Sequence, residues 1–158
     1  MKLIAIIAAG LLALACNGSD GMTAEEQANI EIIRARTAAY NDQADGWLED
    51  YLAGLADDFT YRGYTPWAPE GMTANREQLI EMMRGGAKSF PDRKTTIRNL
   101  ITAGDTVVAE TEWSGTASAQ NPTLQPGERQ VLQDIVIYRL RDGKIIETRE
   151  YAIAVPAE

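Results

Sequence analysis

Apolar residues recur at helical steps through the first half of the chain, and from Pro91 onward at every second position. Thr23-Ala-Glu-Glu26 has the form of a capping box, and Ile30, Ile33, Thr37 and Tyr40 follow at three- to four-residue steps, predicting a helix over 24–42. Asn41 to Gly46 breaks it. Trp47, Tyr51, Leu52 and Leu55 then predict a second, shorter amphipathic helix. Asp57 to Arg62 reads as a short strand, and Gly63 to Gly71, with Pro66 and Pro69, reads as a loop. Asn75 with Gln78 supplies a cap for a third helix. Leu79, Ile80, Met82 and Met83 form its apolar side, and Gly85-Gly86 is expected to stop it.

The alternating part divides into runs 94–103, 106–116, 130–140 and 144–154. Gly104-Asp105 turns the first pair, Arg141-Asp-Gly-Lys144 turns the last, and Ser118 to Glu128 is a long exposed loop with Pro122 and Pro126. Four antiparallel strands after three helices predict an α+β domain with the helices packed on one face of the sheet.

The first fifteen residues stand apart. Lys2 followed by the apolar run Leu3 to Ala15 has the charged and apolar regions of a secretory signal, and it is too short for a permanent span. Its end, Leu12-Ala-Leu-Ala-Cys16, resembles the lipobox of bacterial lipoproteins, which implies acylation of Cys16. By the same resemblance, Asn17 after the cysteine implies the periplasmic face of the outer membrane. Residues 16–22 then form a flexible tether, and residues 23–158 one domain with one core. The formal charge is −8, which makes nucleic acid a poor partner. The chain has no histidine and one cysteine. Imidazole catalysis and the commonest zinc ligand sets are therefore excluded, and no disulfide is available. No cofactor or metal site is expected.

Ala56-Asp-Asp-Phe-Thr60, Gly104-Asp-Thr-Val-Val-Ala109, Trp113-Ser-Gly-Thr116 and Tyr138-Arg-Leu-Arg-Asp-Gly-Lys-Ile-Ile-Glu147, in that order and spacing, resemble the nuclear transport factor 2-like, SnoaL-like superfamily. The resemblance implies a cone-shaped fold, three helices on a curved sheet, that hosts isomerases, epoxide hydrolases, cyclases, dehydratases and binding domains. It places the carboxylate base of ketosteroid isomerases at Gly63, and the acidic group of their oxyanion hole and of polyketide cyclases near Val136. The arginine and first aspartate of limonene epoxide hydrolases fall at Thr111 and Trp113, and their second aspartate at Glu150. Each known set thus lacks essential parts.

Asp134 and Glu150 remain as candidates. A three-residue turn at Arg141-Asp-Gly would place them directly opposite, about 5 Å apart, where they would share a proton as a general acid/base pair, with Tyr138 as a tyrosine donor. A two-residue type I′ turn would instead face Asp134 with Tyr151 and dissolve the pair. Tyr40, Trp47, Tyr51, Tyr61, Tyr64, Trp67, Thr111, Trp113, Val136 and Tyr138 are candidates for a pocket wall, with Trp67 at the mouth. The face carrying Ile135 and Ile137 is too apolar for water and, by resemblance, implies a homodimer. The pattern favours a lipid-anchored envelope protein that binds a small hydrophobic molecule. The alternatives are a cofactor-free isomerase, cyclase or hydrolase using Asp134 and Glu150, and an interaction module of an envelope assembly.

Overall fold

The computed structural model describes residues 21–156. The signal over 1–15, lipidation of Cys16 and the tether as far as Asp20 lie outside the described residues. Helices α1 (Ala24–Asp42), α2 (Trp47–Ala53) and α3 (Arg76–Ser89) accompany strands β1 (Leu55–Thr65), β2 (Ala68–Asn75), β3 (Lys94–Ala103), β4 (Thr106–Thr116), β5 (Arg129–Arg141) and β6 (Lys144–Val155). The strands form one sheet in the order β2-β1-β6-β5-β4-β3, antiparallel throughout except where β1 runs parallel to β6.

Local chemistry explains the helix starts. Thr23 and Glu26 each donate a backbone amide to the other's side-chain oxygen at the head of α1, and Asn75 and Gln78 do the same at the head of α3. Helix α1 is fastened over the β3–β4 hairpin at both ends. The Gly104 amide donates to Glu26 Oε1 at 3.0 Å and Asn29 Nδ2 donates to the Gly104 carbonyl at 3.2 Å; towards the other end, Asn41 exchanges two bonds with the Thr95 backbone. Ile33, Leu52, Leu55, Phe59, Leu79, Val107, Leu140 and Ile145 close the core beneath. Each such burial contributes about 1.5–3 kcal/mol.

Three expectations are corrected. The region read as a loop over Gly63 to Gly71 holds the end of β1 and the start of β2, so the sheet has six strands and two of them precede α3. Gly71, at φ +87°, and Pro69 hid β2, which is tolerated because it lies at the sheet edge. Gly85-Gly86 does not stop α3, which runs to Ser89 and ends with the Phe90 amide donating to the Gly86 carbonyl at 2.8 Å. Two helical glycines cost about 1 kcal/mol each, which the burial of the Phe90 ring offsets.

The third correction sets the site. The β5–β6 turn is the two-residue form, with Asp142 at φ 53° and Gly143 at φ 70°, and Arg141 pairs with Lys144. Leu140 pairs with Ile145 but Arg139 pairs with Glu147, so β6 carries a bulge at Ile146. The extra residue restores the parity that the short turn would have lost. Thr148, Glu150 and Ala152 thereby turn to the same face as Asp134, Val136 and Tyr138.

Candidate functional site

On the inner side of the curved sheet, beneath α1 and α3, lies a cavity of about 450 Å³. Helix α1 contributes Arg36 and Tyr40, α3 contributes Leu79, Met82, Met83 and Gly86, and the inward residues of β1, β4, β5 and β6 form the floor. Asp134, Glu150, Tyr138, Tyr40, Tyr61, Trp67, Thr111, Trp113 and Val136 all border it, as does Tyr51. Two other aromatics do not. Trp47 packs outside against Tyr40 and Tyr51, and Tyr64 stacks on Tyr151 across the opposite face at 5.5 Å. Cys16 lies outside the described residues.

Asp134 and Glu150 are not directly opposite, as neither turn alternative allowed for the bulge. Asp134 pairs with Ala152 and Glu150 with Val136, which makes the two carboxyls diagonal neighbours on one face. Their surroundings differ. Asp134 accepts a hydrogen bond from the Thr111 hydroxyl through Oδ2 at 3.2 Å, while its Oδ1 is buried without a partner. Burial first, and then the charge of Glu150, push the Asp134 carboxyl up to about 7 against the opposing Thr111 bond. Burial also raises Glu150, but the Tyr61 hydroxyl donates to its Oε2 at 2.9 Å and the charge of Arg36 pulls it back down. Both carboxyls are thus held above their ordinary range, Asp134 partly by the charge of Glu150, and Glu150 alone has neighbours, Tyr61 and Arg36, that oppose the rise with a donor and a positive charge.

Tyr61 reaches Glu150 because β1 and β6 run side by side, with Gly63 paired to Glu150. The Tyr61 ring leans along β1 so closely over Gly63 that a Cβ there would overlap its hydroxyl. The space that a side chain at position 63 would occupy is thus filled by the Tyr61 phenol, with the Glu150 carboxyl on the adjoining strand. The phenols of Tyr61, Tyr40 and Tyr138 are all raised, chiefly by burial, so each is a neutral donor at physiological pH.

The mouth is aromatic. Trp113 Nε1 donates to the Tyr40 hydroxyl at 2.9 Å, and the Trp113, Phe90 and Trp67 rings meet edge to face or tilted, with Trp67 half exposed. The loop read as merely exposed contributes Asn121, Pro122 and Thr123 to the wall. It is held by the Asn121 carboxamide, which accepts from the Thr123 and Leu124 amides, and by Ser118, whose hydroxyl donates to the Lys88 carbonyl at 2.6 Å.

Sequence reasoning overlooked Arg36, the bond between Tyr61 and Glu150, and the wall formed by Asn121 to Thr123. Arg36 carried a signal, since it shares the apolar stripe of Ile33 and Tyr40. The other two depend on contacts distant in sequence. Among the described residues no cluster of three His, Cys, Asp or Glu side chains is arranged for a metal, and no helix is long and apolar enough to cross a membrane.

The family model of the SnoaL-like domain matches residues 33–148. No curated protein matches the chain in sequence. Among solved structures, a protein from Jannaschia sp. CCS1 assigned as a SnoaL-like polyketide cyclase superposes with a TM-score of 0.71 at 20% identity, covering 84% of this chain and 90% of that one. AclR from Streptomyces galilaeus, assigned as a hydroxylase, gives 0.69 at 20% identity, covering 83% and 82%. An LEH-like epoxide hydrolase from M. tuberculosis gives 0.63 at 17% identity, covering 82% and 85%. At these identities the likeness establishes the nuclear transport factor 2-like fold.

Proposed function

This chain belongs to the SnoaL-like domain family, and on that premise we propose that it is a cofactor-free acid–base enzyme of the isomerase or cyclase kind acting on a small, largely apolar molecule. One observation carries the reading: two carboxyls share one face of a mostly apolar cavity, both pushed towards the neutral acid by burial, and Glu150 alone has a phenol, Tyr61, and a guanidinium, Arg36, that support its charged form. Glu150, supported by the Tyr61 hydroxyl, takes a proton from one atom of the substrate. Asp134, held through Oδ2 by Thr111, gives its proton to another. Protons are conserved, and the product is an isomer of the substrate. The polyketide-cyclase assignment of the Jannaschia protein agrees with such chemistry.

A carrier is the second reading, favoured by Met72, Met82 and Met83, whose flexible side chains adapt a wall to varied ligands. Under either reading we place the domain on a membrane surface through Cys16, on the strength of Leu12-Ala-Leu-Ala-Cys16. Incubating the purified protein with small-molecule extract of its host, alongside Asp134→Asn and Glu150→Gln, separates the two. Depletion of one compound and growth of an isomer of equal mass with wild type alone supports the enzyme. The same unaltered compound bound by all three proteins supports the carrier and refutes the enzyme.

A further inference from the structure

Arg36 is the only basic residue in the cavity wall among the described residues. It is 6% exposed, its Cζ lies 4.0 Å from the centre of the Tyr51 ring, and its Nη1 is buried without a hydrogen-bond partner. None of the ion pairs among the described residues includes it. A guanidinium held this way costs free energy that the fold alone does not recover. An uncharged side chain at this step of the stripe would carry no such cost, so the cation calls for a purpose other than folding.

The charges in the cavity suggest one. Arg36 is fixed, whereas the negative charge of Glu150 can move. When Glu150 takes a proton from a ligand, the charge it loses appears on the ligand, and among the described residues Arg36 is the basic group of the wall there to meet it. We propose that Arg36 receives the anionic oxygen of a ligand bound as its conjugate base, so that the ligand class is a small, apolar compound with an acidic enol, phenol or 1,3-dicarbonyl group. An O–H or C–H bond of the ligand breaks, the proton joins Glu150, and the electron pair ends on an oxygen beside the guanidinium. The net charge of the cavity does not change. The proposal rests on the acid–base reading above and adds to it the class of compound and the group that selects it.

2-Naphthol is a suitable probe. Its neutral and ionised forms absorb differently, and like other phenols it ionises in water near pH ~10. With the full-length wild-type protein at pH 7, bound 2-naphthol should show the naphtholate band. In Arg36→Met the ionised fraction of the bound 2-naphthol should fall at least about tenfold, one pKa unit or more, while 2-methoxynaphthalene, which cannot ionise, still binds and shows that the cavity is intact. Arg36→Lys should keep most of the band, and Arg36→Gln serves if the methionine variant does not fold. An equal band in wild type and in the Met or Gln variant, or only neutral naphthol bound to wild type, overturns the role of Arg36. Binding of 2-naphthol should release no proton to the buffer from wild type, where Glu150 takes it, and one per bound naphtholate from Glu150→Gln; equal release from both overturns the acid–base reading itself. Failure of wild type to bind either probe overturns both.

Discussion

Replacing Asp134 by asparagine should stabilise the protein, and only above the acid range. Asparagine is nearly isosteric and keeps an oxygen for the Thr111 hydroxyl, so the change removes a titrating group and little else. In the folded state the Asp134 carboxyl sits at about 7, against an ordinary 3.8. A pKa raised on folding contributes stability that is fully present below the unfolded value and is lost as the pH climbs through the folded one. Roughly three units at ~1.4 kcal/mol each set a ceiling of about 4 kcal/mol. Coupling to Glu150 and water entering from the mouth reduce this to about 2 kcal/mol as the expected gain. Urea unfolding of both proteins at a series of pH values from 4 to 8.5 measures the difference. Subtraction cancels groups of the opposite sign, such as Glu147, which is lowered chiefly by Arg149. The account predicts almost no gain from Asp134→Asn below about pH 4, a rise between about pH 4 and 7, and a plateau above. A difference independent of pH, or a loss of stability at pH 8.5, would refute the reasoning.

Three further outcomes follow from the structure. Gly63→Ala should displace the Tyr61 ring, cost about 1–3 kcal/mol through overpacking and leave Glu150 harder to ionise, as thermal unfolding and the carboxyl titration of that variant would show. In the homodimer we propose across the outer sheet face, where Ile135 is 44% and Ile153 is 62% exposed, Ile153→Asp should shift sedimentation at micromolar concentration from dimer to monomer; a monomeric wild type removes the proposal. Cys16→Ala should move the protein from the membrane fraction to the soluble one on cell fractionation, and an unchanged distribution would sink the lipid anchor.

How much of this was legible in the sequence differs by element. The caps at Thr23 and Asn75 and the alternation of β3 to β6 are local signals, and the structure keeps them almost to the residue. Strand β2 was hidden because Pro69 and Gly71 read as loop, although an edge strand accommodates both. The parallel pairing of β1 with β6 joins residues about ninety positions apart, so nothing near Tyr61 announces that its hydroxyl will meet Glu150. The bulge at Ile146 is the most consequential omission. The turn type alone would have sent Glu150 to the outer face, and one unpaired residue returns it to the cavity beside Asp134. Sequence patterning singled out these two carboxyls, but that Glu150 faces the same side as Asp134 was set by that single backbone irregularity.

The most direct test of the account is a carbon-13 NMR titration of the side-chain carboxyls of Asp134 and Glu150, assigned with Asp134→Asn and Glu150→Gln. The account predicts that Asp134 titrates around pH 7, that each resonance also responds to the titration of the other, and that Glu150→Gln lowers the Asp134 midpoint. An Asp134 carboxyl that ionises near its ordinary 3.8, indifferent to Glu150, would contradict the coupled pair and the acid–base chemistry built on it.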